Sequence, residues 1–538
     1  MFPSRLLDLA ADEMAAGPTF DPQRINQHIE GRVNGQRIMS DAEIESLLND
    51  PFALLVLRRG RFPTNLTELL AALDEHNDSS HGLPDTTSFL VSEGGQIPFQ
   101  PGVGKGGSRL LIVRTRRDRS TGADLMISVL TPPDTSPRSS TLLLEVLAWD
   151  PVNRTFHFYQ RQQGAWFWCG QSDMAFDDDA RGHGPFDSHI NGYPNMKELK
   201  FPWVHWHGPT LAISENAYAP DDPLVSDPLF LDRSPANLFE DLIMVLVDRW
   251  NEARFDKAVA GHPTMSPTNT WLRQVVDSTS FGLISSGVRF ATLPDRDLND
   301  VPATFFVDQD CLIDGAGAAL PVRPPALRLS GSRYAGLVQK YDLRLRGRGI
   351  DIQGDVPFCF TVPERAREDV VVVRLLIAKG VMSRRLAACL LMVDFANPMF
   401  SATRASLLRH LPDGSRLEAG ASLDEVLVER ITRAASASPP GSAERQFVQN
   451  WELGPSDWPT TFADRIDRYL EAVASRLQTD DGSDEIFRLA ESRRRMARRI
   501  PLLEFDLTLP IAAGIPGDAP PLEMTEEGTI RVRGEAIN

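Results

Sequence analysis

Four of the chain's ten histidines, His183, His189, His205 and His207, fall between Phe176 and Thr210. The same stretch, FDDDARGHGPFDSHINGYPNMKELKFPWVHWHGPT, holds the Asp177-Asp178-Asp179 run, Glu198, Trp203 and Trp206. Imidazole and carboxylate bind transition metals, and imidazole also moves protons near neutral pH. If Trp203 to His207 is a strand, alternation puts His205 and His207 on one face, about two residues' rise apart, where two imidazoles can hold one metal ion. Zinc takes three or four ligands, and non-haem iron commonly takes two histidines and a carboxylate. His183, His189, Glu198 or one of the three aspartates would then complete the shell. Alternatively, these imidazoles are hydrogen-bonding groups beside tryptophans in a partly buried loop region.

Within this stretch, Phe186-Asp187-Ser188-His189-Ile190-Asn191-Gly192, followed by Met196-Lys197-Glu198-Leu199 and Pro202-Trp203, resembles the haem-attachment region of uncharacterised bacterial proteins that carry a c-type haem. In those proteins a CxxCH motif precedes an Asn-Gly turn, an MKEL run and a Pro-Trp pair. A fainter likeness runs from Asp394-Phe395-Ala396-Asn397-Pro398 to Phe400-Ser401. The resemblance implies an axial haem ligand at His189. The two cysteine positions of the motif are Pro185 and Ser188 here, so no thioether can form and covalent c-type haem is excluded at this motif.

Three outcomes follow. Haem is held non-covalently by His189, with Trp166, Trp168, Trp203 and Trp206 available to line its pocket. Or a mononuclear iron or zinc ion is held by the histidine cluster. Or the site is degenerate, keeps the fold and binds nothing. The first two lead to a metal- or haem-dependent oxidoreductase, the third to a non-catalytic binding or scaffold protein. With haem, a second axial histidine favours electron transfer, whereas an open position allows oxygen or peroxide chemistry. Such tryptophans are more often simple core and edge packing, since a large aromatic ring buries much area whatever it meets.

Other chemistries lack a complete motif, and with 73 acidic residues spacing alone selects no carboxylate pair. Pro101 to Ser108 suggests a phosphate-binding loop, but Phe99 stands where its first glycine belongs and Gly106 follows Lys105 in place of Ser or Thr. The SRLLIV run after it predicts a strand, not the helix such a loop must open. There is no GxSxG nucleophile elbow. Cys169, Cys311, Cys359 and Cys389 are too widely spaced for a zinc ribbon and read as buried free thiols.

A formal net charge of -17 argues against nucleic acid as a partner, because that affinity comes from neutralising phosphates with Lys and Arg. The basic runs Arg114 to Arg119 and Arg493-Arg494-Arg495 with Arg498-Arg499 read as solvated faces or ion-pair partners. The N-terminus has no apolar signal core, and no stretch reaches the roughly 20 apolar residues of a membrane span. The expectation is a cytoplasmic protein acting on a small molecule or a redox partner, with no membrane contact.

The elements that must position the histidines follow from pattern. At 538 residues the chain exceeds the roughly 250 to 300 residues at which single cores stop growing. The expected fold class is α+β, with a helical N-terminal part, a central antiparallel β region and a helical C-terminal half. Residues 1–82 read as helical, with Ser40 and Glu43 as a capping box and Thr64 opening another helix. Residues 83–262 read as a β-rich domain whose segment from Thr141 to Cys169 is a three-strand meander delivering the chain into the histidine stretch. A helix follows, capped by Ser234, with Leu238, Leu242, Val245, Leu246, Arg249 and Trp250 on its apolar face and Phe239 and Ile243 widening it. Residues 263–440 read as mixed α/β, with a core helical hairpin formed by Glu364 to Lys379 and a helix capped by Ser383. Ala435 to Glu444 is a linker or long loop. Residues 441–538 read as helical, with Leu503 to Pro510 as a strand before a loose tail.

Overall fold

The computed structural model describes residues 20–78, 82–92, 99, 108–116, 123–194, 213, 216–259, 264–265, 268–286, 299–315, 325–347, 349–354, 359–412, 414–418, 421–499 and 509–534. The fold is α+β, with one large, mainly antiparallel sheet and helices concentrated in the C-terminal half. The chain divides into two compact units, the first holding residues 1–196, 205–254 and 502–506. The N-terminal region and the sheet therefore share one unit.

The first unit is built on eight strands: β1 (Ile25–His28), β2 (Gln36–Ile38), β3 (Asp85–Ser92), β4 (Ser108–Thr115), β5 (Leu125–Thr131), β6 (Leu144–Asp150), β7 (Thr155–Gln162) and β8 (Ala165–Gln171). Their order is β2-β1-β8-β7-β6-β5-β4-β3. β3 to β8 are successive antiparallel neighbours, and the predicted meander is β6 to β8. Its turns have the expected chemistry. Asp150 Oδ1 accepts from the backbone N–H groups of Val152 (2.8 Å) and Asn153 (2.9 Å), an Asx turn that reverses the chain after β6. Gln163 and Gly164 both have left-handed φ (52° and 82°), the two-residue hairpin geometry that matches strand twist.

The N-terminal part differs from its all-helical expectation. β1 pairs parallel with β8, Ile25 opposite Trp166 and Gln27 opposite Trp168, and β2 forms the sheet edge. The helices after them are α1 (Asp41–Leu47), α2 (Pro51–Leu55) and α3 (Leu66–Asp74). α1 starts with the Ser40/Glu43 capping box. Pro51 opens α2 instead of only closing α1, because Asp50 accepts from the Phe52 and Ala53 N–H groups and proline suits a first helical turn. α3 is capped by Asn65, one residue after Thr64.

These helices cover one face of the sheet. The Phe52 ring meets Tyr159 and Trp166 at 5.0 and 4.8 Å between centroids. The Trp166 indole donates to Pro63 O at 2.9 Å. A fully buried polar chain lies beneath them. The Tyr159 hydroxyl donates to Asp50 Oδ2 at 2.5 Å, and Trp168 Nε1 donates to His157 Nδ1 at 3.0 Å. An indole N–H can only donate, so Nδ1 is the acceptor and His157 carries its proton on Nε2. That proton points to Asp150 Oδ2, 3.2 Å away. Burial pushes the Asp150 carboxyl up, but the hydrogen bonds from His157 and Asn153 outweigh it and hold the group at about 2.

The opposite face receives α4 (Ala236–Val259). Phe239 packs on Phe89 of β3 (4.9 Å), and the Arg249 guanidinium lies over Trp149 of β6. The buried side of α4 carries Phe239, Ile243, Leu246, Val247 and Trp250, whereas Leu238 and Val245 are exposed. The helix is thus rotated from the apolar face read in its sequence, because its many hydrophobic residues allow more than one phase and the sheet selects one.

The second unit, residues 197–204, 255–501 and 507–538, has a helical core. It includes α5 (Thr268–Val276), α6 (Arg367–Ala378), α7 (Arg384–Leu391), α8 (Leu423–Ala435), α9 (Ala443–Glu452), α10 (Gly454–Leu477) and α11 (Asp480–Arg498). α6 and α7 are the predicted hairpin. Val370 to Val373 are buried, Gly380 turns the chain at φ 71°, and Ser383 caps α7. α6 begins later than expected because Val362–Arg365 is a strand paired with Phe281–Ile284. The Ala435 to Glu444 segment joins two helices of one core.

The tail is not loose among the described residues. Ile511–Ala512 pairs with Leu343–Gly347, and Leu522–Met524 forms a hairpin with Ile530–Val532. The Asn397 amide holds Met524 by both backbone groups at 2.9 Å. The Leu503 to Pro510 strand expectation lies mostly outside the described residues. Two arginines of the C-terminal basic run are interior: Arg493 donates to Ala396 O (3.3 Å), and Arg494 pairs with Glu491 (3.1 Å). Arg114 is likewise buried against Asp74 and Leu83 O. No helix among the described residues is long and apolar enough to cross a membrane.

Candidate functional site

The chain leaves β8 into three short 3-10 turns, Ser172–Phe176, Gly184–Asp187 and Ile190–Gly192, which carry the first half of the histidine stretch. Asn191 and Gly192 form a turn in the last of them. Asn191 (φ 63°) and Gly192 (φ 72°) are both left-handed, conformations that asparagine tolerates and glycine adopts freely. The turn is locked from several sides. Ser172 Oγ donates to Gly192 O (2.7 Å), and Trp250 of α4 donates through Nε1 to Asn191 O (3.0 Å). The Tyr193 hydroxyl donates to Asn251 Oδ1 (2.9 Å). A Cβ on Gly192 would lie 2.3 Å from Ser172 O. Gly192→Ala is therefore expected to lower stability by about 2 kcal/mol or more in denaturant unfolding, combining a left-handed φ with a backbone clash.

This turn aims His189. Its Nδ1 lies 2.9 Å from Tyr193 O, and a carbonyl can only accept, so Nδ1 carries the proton and Nε2 presents its lone pair. Among the described residues no hydrogen bond reaches Nε2. The ring packs on Phe158 of β7 at 5.3 Å, and Phe186 also packs on Phe158. Burial lowers the His189 pKa, which keeps the imidazole neutral.

The sheet face beneath is unusually polar for a strand interior. Arg109 on β4 donates to Ser128 of β5 and to Glu145 of β6. Gln160 of β7 donates to the other Glu145 oxygen at 3.1 Å. Register explains the row: Ser128 is opposite Glu145, and Glu145 is opposite Gln160. Burial pushes the Glu145 carboxyl up, but the Arg109 charge and hydrogen bond hold it below its usual value. Both charges act on His189: Glu145 favours its protonation and Arg109 opposes it. Sequence reading did not single out this row. The available signal was a charged residue inside each of two otherwise apolar strands, Arg109 in SRLLIV and Glu145 in LLLEVL.

The remaining expected ligands do not converge on His189 among the described residues. His183 is exposed, beside Gly31 of the β1–β2 connection. Asp177 and Asp179 pair with Arg32 at 2.5 and 3.0 Å, and Asp178 lies 3.9 Å from Arg181. No three His, Cys, Asp or Glu residues come together to hold a metal among the described residues. Glu198, Trp203, His205, Trp206 and His207 lie outside the described residues. Trp166 and Trp168 are placed away from His189: with Tyr159 and His157 they point to the α1–α3 face, while Phe158 and Gln160 face the 3-10 turns. They are core packing. All four cysteines are buried free thiols, and burial pushes the Cys169 thiol far up, so it is no nucleophile.

Pro185 and Ser188 occupy a 3-10 turn in which the Ser188 hydroxyl donates to Pro185 O. Neither offers a thiol. Comparison with protein-family models, with curated proteins and with solved structures returns no match.

Proposed function

We propose that the chain is a metal- or haem-dependent oxidoreductase centred on His189. The observation that carries this reading is the Nδ1–H to Tyr193 O bond at 2.9 Å. A histidine that ligates a metal usually donates its other ring nitrogen to a carbonyl or carboxylate, which fixes the tautomer and frees the ligating lone pair. Neutral His189 has that arrangement, with Phe158 and Phe186 beside it. Its single available lone pair would suit one bond to the iron of a non-covalent haem. A mononuclear iron or zinc ion would need additional ligands; His205, His207 and Glu198 are the residues proposed to supply them, and His183, exposed beside Gly31, is not. A haem held there would supply electron transfer or oxygen chemistry. The chain's part is to hold that lone pair in a fixed direction. A cytoplasmic setting and a small-molecule substrate or redox partner belong to the same proposal.

The competing reading is a non-catalytic binding or scaffold protein with a degenerate haem site. It draws support from Pro185 and Ser188 at the two motif cysteine positions and from the Ser172 and Trp250 side chains that hold the Asn-Gly turn. The absorption spectrum and metal content of protein from haem-replete cells separate the two. The expected result is a near-stoichiometric Soret band or metal signal that disappears in His189→Ala. A cofactor retained in both His189→Ala and the His205→Ala/His207→Ala double variant removes the assignment. Protein that carries no haem and no metal favours the scaffold.

A further inference from the structure

A second site lies in the second unit, at the C-terminal end of α11, where the basic run of the sequence emerges. A cleft of about 510 Å³ opens there between the last turns of α11 and residues 511–521. Its volume falls in the range of sites for small molecules.

One wall is cationic. Arg495, Arg498 and Arg499 line it, and their partners leave a surplus of positive charge. Among the described residues Arg495 is bonded only to carbonyls, Pro516 O at 2.8 Å and Gly517 O at 3.2 Å, and its buried Nε has no partner there. Arg498 shares Glu491 with the interior Arg494, so one carboxylate faces two guanidinium groups. Arg499 is exposed and takes part in no ion pair among the described residues. Arg533 stands close enough that the Arg499 charge, after burial, helps press its guanidinium below the ordinary value.

The C-terminal dipole of α11, equivalent to roughly half a negative charge, favours these cations but does not cancel them. Glu491 also lines the cleft and pairs with Arg498, and Glu523 lies 3.9 Å from Arg533, so the unneutralised positive charge rests on Arg495 and Arg499 in a chain whose net charge is -17. The opposite wall is apolar, formed by Ile511, Ile515, Ala519 and Pro521, and Ile511 is one of the few large hydrophobic side chains left exposed. Planar guanidinium forks match the oxygens of carboxylate and phosphate groups.

We infer that this cleft binds a small organic anion, a carboxylate or phosphate monoester with an apolar body. The arginines take the acid group and the Ile511 wall takes the body. This site is independent of the His189 proposal.

Isothermal titration of the full chain with phenyl phosphate, phenylacetate and inorganic phosphate tests it. One aromatic anion is expected to bind at one-to-one stoichiometry and more tightly than inorganic phosphate. The better of the two identifies the acid group. Arg499→Glu should weaken that binding at least tenfold with an unchanged melting temperature, since the residue is exposed. Ile511→Asp should abolish the preference over inorganic phosphate. Arg468→Glu, an exposed change on α10, should leave the affinity unaltered. Absence of saturable binding by all three probes overturns the inference. So does equal weakening by Arg468→Glu, which would mark a diffuse charge effect. Tighter binding of a single-stranded oligonucleotide, lost in Arg499→Glu, would also overturn it in favour of a nucleic-acid surface.

Discussion

Arg365→Met is expected to destabilise the second unit by about 3 to 5 kcal/mol, the usual cost of breaking a buried ion pair from one side. Arg365 is 3% exposed and meets Asp308 at 3.1 Å and Asp369 at 3.2 Å. It also donates to the carbonyls of Val275 (2.8 Å) and Asp277 (3.2 Å). Its removal strands two carboxylates and frees several carbonyls at once. Denaturant unfolding measures the loss, and Asp369→Asn added to Arg365→Met should recover part of it by removing one stranded charge.

The same cluster has a pH signature. Burial raises Asp369 to about 6 against the pull of Arg365 and the hydrogen bonds from Gln274 and Thr279. A carboxyl whose folded pKa lies above its unfolded value of about 4 binds its proton more readily in the folded state. Its contribution to stability is complete below about pH 4 and is lost as pH rises through 6. Acidification from pH 7 to 4 should therefore strengthen this unit through Asp369, and Asp369→Asn should flatten that part of the stability profile. An unchanged profile would place the proton elsewhere.

Asp50→Ala carries the second large effect, about 3 to 5 kcal/mol in the first unit, from loss of a helix cap and of a buried acceptor. Asp50 is completely buried and serves both ends of one contact. Oδ1 caps α2 through the Phe52 and Ala53 N–H groups, and Oδ2 accepts the Tyr159 hydroxyl. Alanine leaves that hydroxyl and two helix N–H groups without partners. Tyr159→Phe should cost less, about 1 to 3 kcal/mol, because it removes one donor and leaves the cap intact. Equal losses in the two variants would mean that the cap contributes nothing.

What could be read from the sequence was whatever is decided within a few residues. The Ser40/Glu43 box, the Ser383 cap and the turns at Asp150 to Asn153 and around Gly164 depend on local hydrogen bonds and backbone sterics, and all are present. β1 and β2 were not legible, because INQH and QRI have no hydrophobic alternation and become strands only through pairing, β1 with β8 and β2 with β1. The phase of α4 was misread for a related reason, since Leu238 and Val245 suit an apolar stripe as well as Phe239 and Ile243 do. At the candidate site, His189 stood out by residue type and by resemblance. Arg109, Ser128, Glu145 and Gln160 did not, because they come from four strands and meet only through sheet register.

The parallel pairing of β1 with β8 also has a temporal consequence. Asn26 donates to Trp166 O across 140 residues of chain, so no local collapse can complete that edge of the sheet. At ribosomal rates of roughly 5 to 20 residues per second, the N-terminal strand waits on the order of ten seconds for its neighbour to be synthesised. Until then its hydrogen-bonding edge is open to other chains, and the growing meander has an unpaired flank of its own. The short β2 hairpin occupies one side of that waiting strand early. A nascent chain arrested before Trp166 is thus an aggregation-exposed species, and one released after Gln171 can close the sheet.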